Sequence, residues 1–252
     1  MPDKVSLFAT CVLNNFYPEV AISAARVLGR LGVEVSVEEA QTCCGQPFFN
    51  SGHWSDASKL AGKFVADYSD CDTDIVLPSG SCTSMIRNHY IRLGIQNDLC
   101  NVEDISTRTF EFTEYITQRL GICDLSPFQS ELSEMINVTY HESCHLNREL
   151  GISEEPISLL RSLENINFIY MDQSEVCCGF GGTFSTKYPE ISTAMAEEKI
   201  ANVRQSGADV VTAADMSCLM HMGGLMVRKN LNIKSLHIAQ LIDLAMGTDH
   251  KK

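Results

Sequence analysis

The chain has 252 residues, 44% of them apolar, and carries 19 Lys and Arg against 32 Asp and Glu, a net charge of −13. Such a chain buries a core without difficulty, while its acidic balance repels phosphate backbones and anionic membrane surfaces, which sets nucleic-acid binding and polybasic membrane attachment aside. The first twenty residues hold a single Lys and no cleavage-site pattern, and no later run reaches the roughly 18 apolar residues of a membrane span, so a cytoplasmic protein is expected.

In chain order, a β-prone run at 5–10, VSLFAT, leads to Cys11. A helix then opens at Pro18, whose fixed φ suits a first turn, and Val20, Ala24, Val27, Leu28 and Leu31 recur on one of its faces. A short strand at 33–37, VEVSV, runs into Cys43-Cys44-Gly45, and a buried-type strand, DIVLPSGSC, ends at Cys82. The polar stretch at 124–134, DLSPFQSELSE, reads as a boundary and gives domains of 1–128 and 129–252. The order then begins again, with NVTYHES before Cys144, a helix opening at Pro156, NFIYM leading to Cys177-Cys178-Gly179, and ADVVTAADMSC ending at Cys218. Strand, helix, strand, helix, strand in each half predicts an α/β fold of two similar domains, each a parallel sheet flanked by helices. Ligands of such sheets bind beyond the carboxyl ends of the strands, where three cysteine-bearing strand ends converge in each half.

The repeat keeps its sulfur in register. The matched offsets are 144−11=133, 177−43=134, 178−44=134 and 218−82=136, and simple packing of cysteine as a small hydrophobe does not require that. Eleven cysteines, an odd number, in a chain expected to meet reducing conditions point to metal binding or redox chemistry rather than disulfides. Cys71, Cys100 and Cys123 have no partner in the repeat and read as packing residues. Vicinal cysteines in an extended strand point to opposite faces, so a sharp turn is needed to bring both to one centre, and Gly45 and Gly179 supply it. Soft thiolates suit zinc, copper(I) or iron–sulfur clusters, and sulfurs spread over a wide mouth suit a polynuclear cluster better than a zinc knuckle. Gly181 and Gly182 let backbone N–H groups approach cluster sulfurs. Three competing motifs are weaker. His141 to His145, HESCH, matches the H-E-x-x-H zinc-hydrolase pattern, but the strand-like NVTY before it argues against the helix that pattern needs. GFGGTF is an incomplete dinucleotide loop, and SGSC lacks the second glycine of a nucleophile elbow, which leaves Ser81 as a turn residue.

The segments PSGSC, CCGFGGTFSTKYPEIS, HESCHLNRELGISEEP, AADMSCLMHMGG and LHIAQLI resemble the lactate-utilisation protein A family, an iron–sulfur branch of the CCG-domain proteins related to the glycolate oxidase iron–sulfur subunit and to the heterodisulfide reductases. The resemblance implies two pseudo-symmetric CCG domains, a [4Fe–4S] cluster in one or both, and electron transfer in oxidising L-lactate to pyruvate beside two partner proteins. It places the ligands at Cys11, Cys43, Cys44 and Cys82 and at Cys144, Cys177, Cys178 and Cys218. The fullest CCG motif ends C-x2-C, whereas Met85 and His221 stand at those final positions, so a five-cysteine noncubane cluster is not implied and His221 is either an added ligand, a residue behind the ligands or a turn cap. The role of His145 stays open. Two readings from other classes remain: a zinc-bound CCG protein without redox function, and a thiol–disulfide reductase.

Overall fold

The computed structural model describes residues 3–93, 99–130 and 134–247, and the side chain of Cys100 lies outside the described set. The first half runs β1 (Lys4–Leu7), α1 (Cys11–Phe16), α2 (Pro18–Arg30), β2 (Glu34–Ser36), α3 (Gln46–Asn50), α4 (Trp54–Tyr68), β3 (Asp74–Leu77), α5 (Gly80–Ser84), α6 (Leu99–Thr107), β4 (Thr109–Glu111) and α7 (Phe112–Glu114). The second half runs β5 (Ile136–Tyr140), α8 (Glu154–Arg161), β6 (Ile166–Phe168), α9 (Phe184–Lys187), α10 (Pro189–Ser206), β7 (Val210–Ala213), α11 (Met216–Arg228), β8 (Lys234–His237) and α12 (Ile238–Ala245).

Each half forms a four-stranded, wholly parallel sheet, ordered β2-β1-β3-β4 in the first and β6-β5-β7-β8 in the second. Val5 of β1 lies opposite Val35 and Asp74, and Val138 of β5 opposite Phe168 and Val210. The central strands β3 and β7 are buried along nearly their whole length, as parallel strands covered on both faces must be. Strand order reverses direction between β1 and β3 and between β5 and β7, the crevice where such sheets take ligands.

The α/β architecture of two similar halves agrees with the pattern of the sequence, and two details differ. A fourth strand closes each sheet, β4 and β8, of three and four residues. These are too short and too mixed in polarity to carry a period-two signal. Pro156 is the third residue of α8 rather than its opener, a place that costs no hydrogen bond because the first four N–H groups of a helix have no acceptor within it.

The halves are not separately packed. Val5 and Leu7 of one sheet share a single buried cluster with Val138 and Tyr140 of the other. Helix α12 packs on α2, and α7 packs on α8, so the last helix of each repeat covers the first crossover of its neighbour. Buried Asp243 of α12 accepts from Ser23 Oγ at 3.0 Å and pairs with Arg30 at 3.0 Å, fixing the register of that contact. This places the carboxyl edges of the two sheets side by side.

Candidate metal centre

Every matched cysteine lies in the segment that follows a strand, close behind it for Cys11, Cys82, Cys144 and Cys218, and farther on for Cys43 (43−36=7) and Cys177 (177−168=9). Cys11 opens α1 after β1, and Cys82 is the third residue of α5 after β3, its N–H held by Ser79 Oγ at 3.3 Å. Cys43 and Cys44 lie between β2 and α3, where Gly45 takes φ +89° to turn the chain; Gly179 does the same in the second repeat with φ +87°. These left-handed conformations are open to glycine and strained for other residues. Tyr90 Oη donates to the Cys44 carbonyl at 3.0 Å and holds the first turn in place.

The thiols come together in pairs. Cys11 and Cys43 lie 3.5 Å apart at sulfur, Cys44 and Cys82 3.2 Å. Both separations are far beyond the S–S bond of about 2.05 Å, and all eight are free thiols. Cys144 pairs with Cys177 and Cys178 with Cys218 in the same arrangement. The Gly45 and Gly179 N–H groups point at Cys43 Sγ and Cys177 Sγ, each at 3.4 Å, so the donors to sulfur are the turn glycines, whereas Gly181 and Gly182 line the cavity. One cavity of roughly 130 Å³ is lined by all eight matched cysteines except Cys43.

Charge is unevenly shared. Cys43 is held down to about 3, first by the hydrogen bond from Cys11 and then by that from Cys44, while Cys11 is pushed up by the same contact. Cys177 is held down to about 2 by Cys144 and Cys178, and Cys218 to about 6 by Cys178 ahead of His141. Buried Cys44 and Cys178 are pushed up, each chiefly by its hydrogen-bonded vicinal neighbour. Each repeat therefore presents a thiolate at the first cysteine of its vicinal pair, and thiolate is the form that binds metal.

Beneath the cysteines the halves are joined through Asp215, 2% exposed. Its carboxylate accepts from Ser79 Oγ at 3.0 Å, Ser81 Oγ at 2.7 Å, Ser81 N at 3.2 Å and Ser143 Oγ at 2.8 Å. Ser81 thus keeps a local contact, its Oγ 3.2 Å from Ser79 Oγ, and is also a partner across the interface. Nothing local in the sequence marks Asp215 as a site residue; its only signal is the offset, since 215−79=136 sets it against Ser79, and both stand at the N-cap position of the helix that carries a cysteine, although only Ser79 caps it with its side chain.

The remaining candidates separate clearly. His141 stands in the extended segment after β5, ahead of the helical turn at Cys144, so His141 and His145 do not share a helix face and no zinc-hydrolase pair forms. His141 is instead fully buried with Nε2 unpartnered, and its ligand atom lies within 4.8 Å of those of Cys178 and Cys218. His145 Nδ1 is 3.6 Å from Cys144 Sγ. His221 turns away to Ser192, with Nε2 3.1 Å from its Oγ, and Ser192 in turn donates to the Gly179 carbonyl at 2.8 Å. His221 thus braces the second turn from behind. Cys71 is half-buried, its sulfur 2.8 Å from Thr73 Oγ1. Cys123 is exposed, which corrects its reading as a packing residue: it lies in the irregular segment after β4 and α7, where no sheet face covers it.

The donor set fits a thiophilic metal or an iron–sulfur centre. Two thiolates bound 2.3 Å from one tetrahedral ion stand about 3.8 Å apart, close to the spacing of the paired sulfurs here, and His141 adds an unpaired buried nitrogen beside two of them.

Parallel sheets whose carboxyl edges carry vicinal-cysteine turns in two repeats define a cysteine-rich CCG-domain protein, and the cysteine-rich domain model CCG matches residues 5–87 and 138–223. Lactate utilization protein A 2 of Bacillus cereus (strain Q1) is 41% identical over 241 residues, 95% of this chain and 97% of that one. Lactate utilization protein A of Bacillus velezensis is 40% identical over 243 residues, 95% of this chain and 99% of that one. The chain belongs to the lactate utilization protein A family. A hypothetical protein from Helicobacter pylori shares the fold, with a TM-score of 0.64 at 14% identity, over all of this chain and 50% of that one. Among the described residues no helix is long and apolar enough to cross a membrane.

Proposed function

We propose that this chain is the iron–sulfur electron-transfer component of L-lactate oxidation to pyruvate, acting in the cytoplasm with two partner proteins. The observation that carries this reading is the pair of register-matched four-thiol sets, seven of whose eight sulfur residues line one cavity, in a chain whose relatives bear the lactate utilization name. Cys11, Cys43, Cys44 and Cys82 would hold one [4Fe–4S] centre, and Cys144, Cys177, Cys178 and Cys218 the other. Such a centre supplies single-electron transfer when bound.

The chain's own residues do the positioning. Gly45 and Gly179 aim N–H groups at the vicinal sulfurs, and the thiolates of Cys43 and Cys177 stand ready to ligate. Asp215 and its hydroxyl partners lock the two edges together.

Nothing among the described residues suits the chain to take two electrons and a proton from a 2-hydroxy acid by itself, which needs a hydride or carbanion acceptor. The incomplete dinucleotide loop GFGGTF, 179–184, is part of the cysteine turn, and the nearest preceding strand, β6, ends at Phe168. A dinucleotide loop follows its strand directly. The acidic chain, at −13, favours partners with a basic docking face, an encounter that salt weakens.

The test is to give anaerobically purified protein L-lactate and an artificial electron acceptor, then to add the two partners. Turnover is expected only with the partners present. Turnover by the isolated chain would make it the catalytic component and refute the relay assignment.

A further inference from the structure

The two thiol sets match in sulfur but not in surroundings. Phe8 and His141 are equivalent positions: 141−8=133 is the offset of Cys11 and Cys144, and each residue's N–H makes the same bond, Phe8 to the Val76 carbonyl at 2.9 Å and His141 to the Thr212 carbonyl at 2.8 Å. A second replacement lies beside it. Gly45 approaches Ala57 as Gly179 approaches Ser192, an offset of 192−57=135, which sets Lys199 against Phe64. In the first repeat Phe8 and Phe64 pack edge to face at 5.1 Å in one apolar cluster with Cys44 and Cys82. In the second, His141 Nδ1 and Lys199 Nζ both meet the Ser174 carbonyl, at 3.2 and 3.1 Å.

That shared carbonyl fixes the chemistry of the ring. A carbonyl oxygen only accepts, so Nδ1 carries the proton, and in the neutral ring Nε2 holds a free lone pair. The ring is fully buried and Nε2 meets no hydrogen-bond partner, a state that is costly in a folded interior unless something binds there. What stands beside the ring is sulfur: one ring nitrogen, Cys178 Sγ and Cys218 Sγ are mutually within 4.8 Å, and Nδ1 is taken by the Ser174 carbonyl. A histidine whose Nδ1–H is held by a backbone carbonyl, with Nε2 free beside two cysteine sulfurs, has the arrangement of a metal ligand held by its outer partner.

We propose that His141 Nε2 ligates the metal centre of the second repeat together with Cys178 and Cys218, making that centre chemically distinct from the all-thiolate one of the first repeat. The proposal deepens the iron–sulfur reading and rests on it for the kind of centre. The imidazole and three of the four thiolates of this set would then hold the centre, and a neutral imidazole in place of one anionic thiolate leaves the oxidised centre with less negative charge to stabilise it and raises the potential, as histidine does in Rieske clusters. Buried Lys199 acts in the same direction. The second centre is therefore the one that takes an electron first, with Phe8 and Phe64 keeping the other in apolar surroundings.

The experiment uses the full chain, purified without oxygen, unlabelled and with 15N-histidine. Iron and sulfide are counted, and the partly reduced protein is examined by pulsed EPR. The expected result is a strong nitrogen coupling from directly bound imidazole that changes with the isotope, persists in His221→Gln and disappears in His141→Phe, which installs the residue of the first repeat. In a redox titration the two signals should appear at separate potentials in wild type and draw together in His141→Phe. Iron-loaded wild type without imidazole coupling overturns the proposal whether or not the variant folds, and so does coupling that survives His141→Phe. Protein without iron and sulfide overturns the iron–sulfur reading on its own. In that case cobalt(II) is the probe: histidine nitrogen coupled to cobalt in wild type and lost in His141→Phe upholds His141 as a ligand, and its absence in wild type overturns it.

Discussion

Replacing Gly179 by Ala should destabilise the fold by about 3–4 kcal/mol, whereas Gly45→Ala, at the equivalent position, should cost only about 1–2 kcal/mol. Both glycines hold the same left-handed backbone, φ +87° and +89°, which costs an L-residue roughly 1–2 kcal/mol. The difference is space. A Cβ on residue 179 would meet the Ser192 carbonyl oxygen at 2.6 Å and Met195 Cβ at 2.8 Å, while on residue 45 the nearest atom, the Ala57 carbonyl oxygen, stands at 3.2 Å. The first two contacts cannot be kept, and overpacking of that kind costs typically 1–3 kcal/mol. Nor can Ser192 yield easily, because its carbonyl belongs to α10 and its hydroxyl is held between the Gly179 carbonyl and His221 Nε2. Any gain from a stiffer unfolded chain is common to both variants and cancels in the comparison. Urea unfolding of the metal-free, reduced proteins, with m-values checked for equality, gives the two numbers. A Gly45→Ala variant as unstable as Gly179→Ala would refute the reasoning, since turn conformation and not the approach of α10 would then set the cost.

Asp215→Asn should lower stability by about 2–3 kcal/mol, because an amide cannot accept all the donors that converge on both carboxylate oxygens; unfolding at wild-type urea concentrations contradicts this. Cys178→Ser should lose metal while Cys71→Ser keeps it, as read by metal analysis, and equal loss in both counts against the ligand assignment. Burial of His237 lowers its pKa from 6.5 to about 4. The folded value lies below the unfolded one, so its contribution is complete above pH 6.5 and is lost as pH falls toward 4, at up to about 1.4 kcal/mol per pH unit. His237→Asn keeps an acceptor for the Ala239 N–H and should flatten the dependence of unfolding free energy on pH across that window; an unchanged slope speaks against a neutral buried ring.

What the sequence shows and hides follows from the range of the interactions. The spacing of Cys11, Cys43, Cys44 and Cys82, repeated near offset 134, reveals the pseudo-symmetry and places sulfur at strand ends, because strand-to-turn geometry is local. Gly45 and Gly179 are readable for the same reason: a vicinal pair that must face one centre needs a positive φ nearby. The bond of Asp215 to Ser79, Ser81 and Ser143 is not readable, since it depends on how the two sheets meet and nothing local demands it. His141 is visible in the sequence only as half of a zinc-hydrolase pattern, and the informative fact is its exchange with Phe8 at a position where the repeat otherwise keeps its pattern. His221 stands out by its place at the end of the shortened cysteine motif, yet α11 directs its ring to Ser192.

Counting iron and acid-labile sulfide in anaerobically purified wild-type protein and in Cys178→Ser decides whether the two thiol sets hold iron–sulfur centres. Iron and sulfide are expected in equal amounts in the wild type, with a reduced-state EPR signal, and a lower content of both in the variant. Zinc without sulfide, or protein that carries no metal after anaerobic purification and reconstitution with iron and sulfide, would contradict the iron–sulfur assignment.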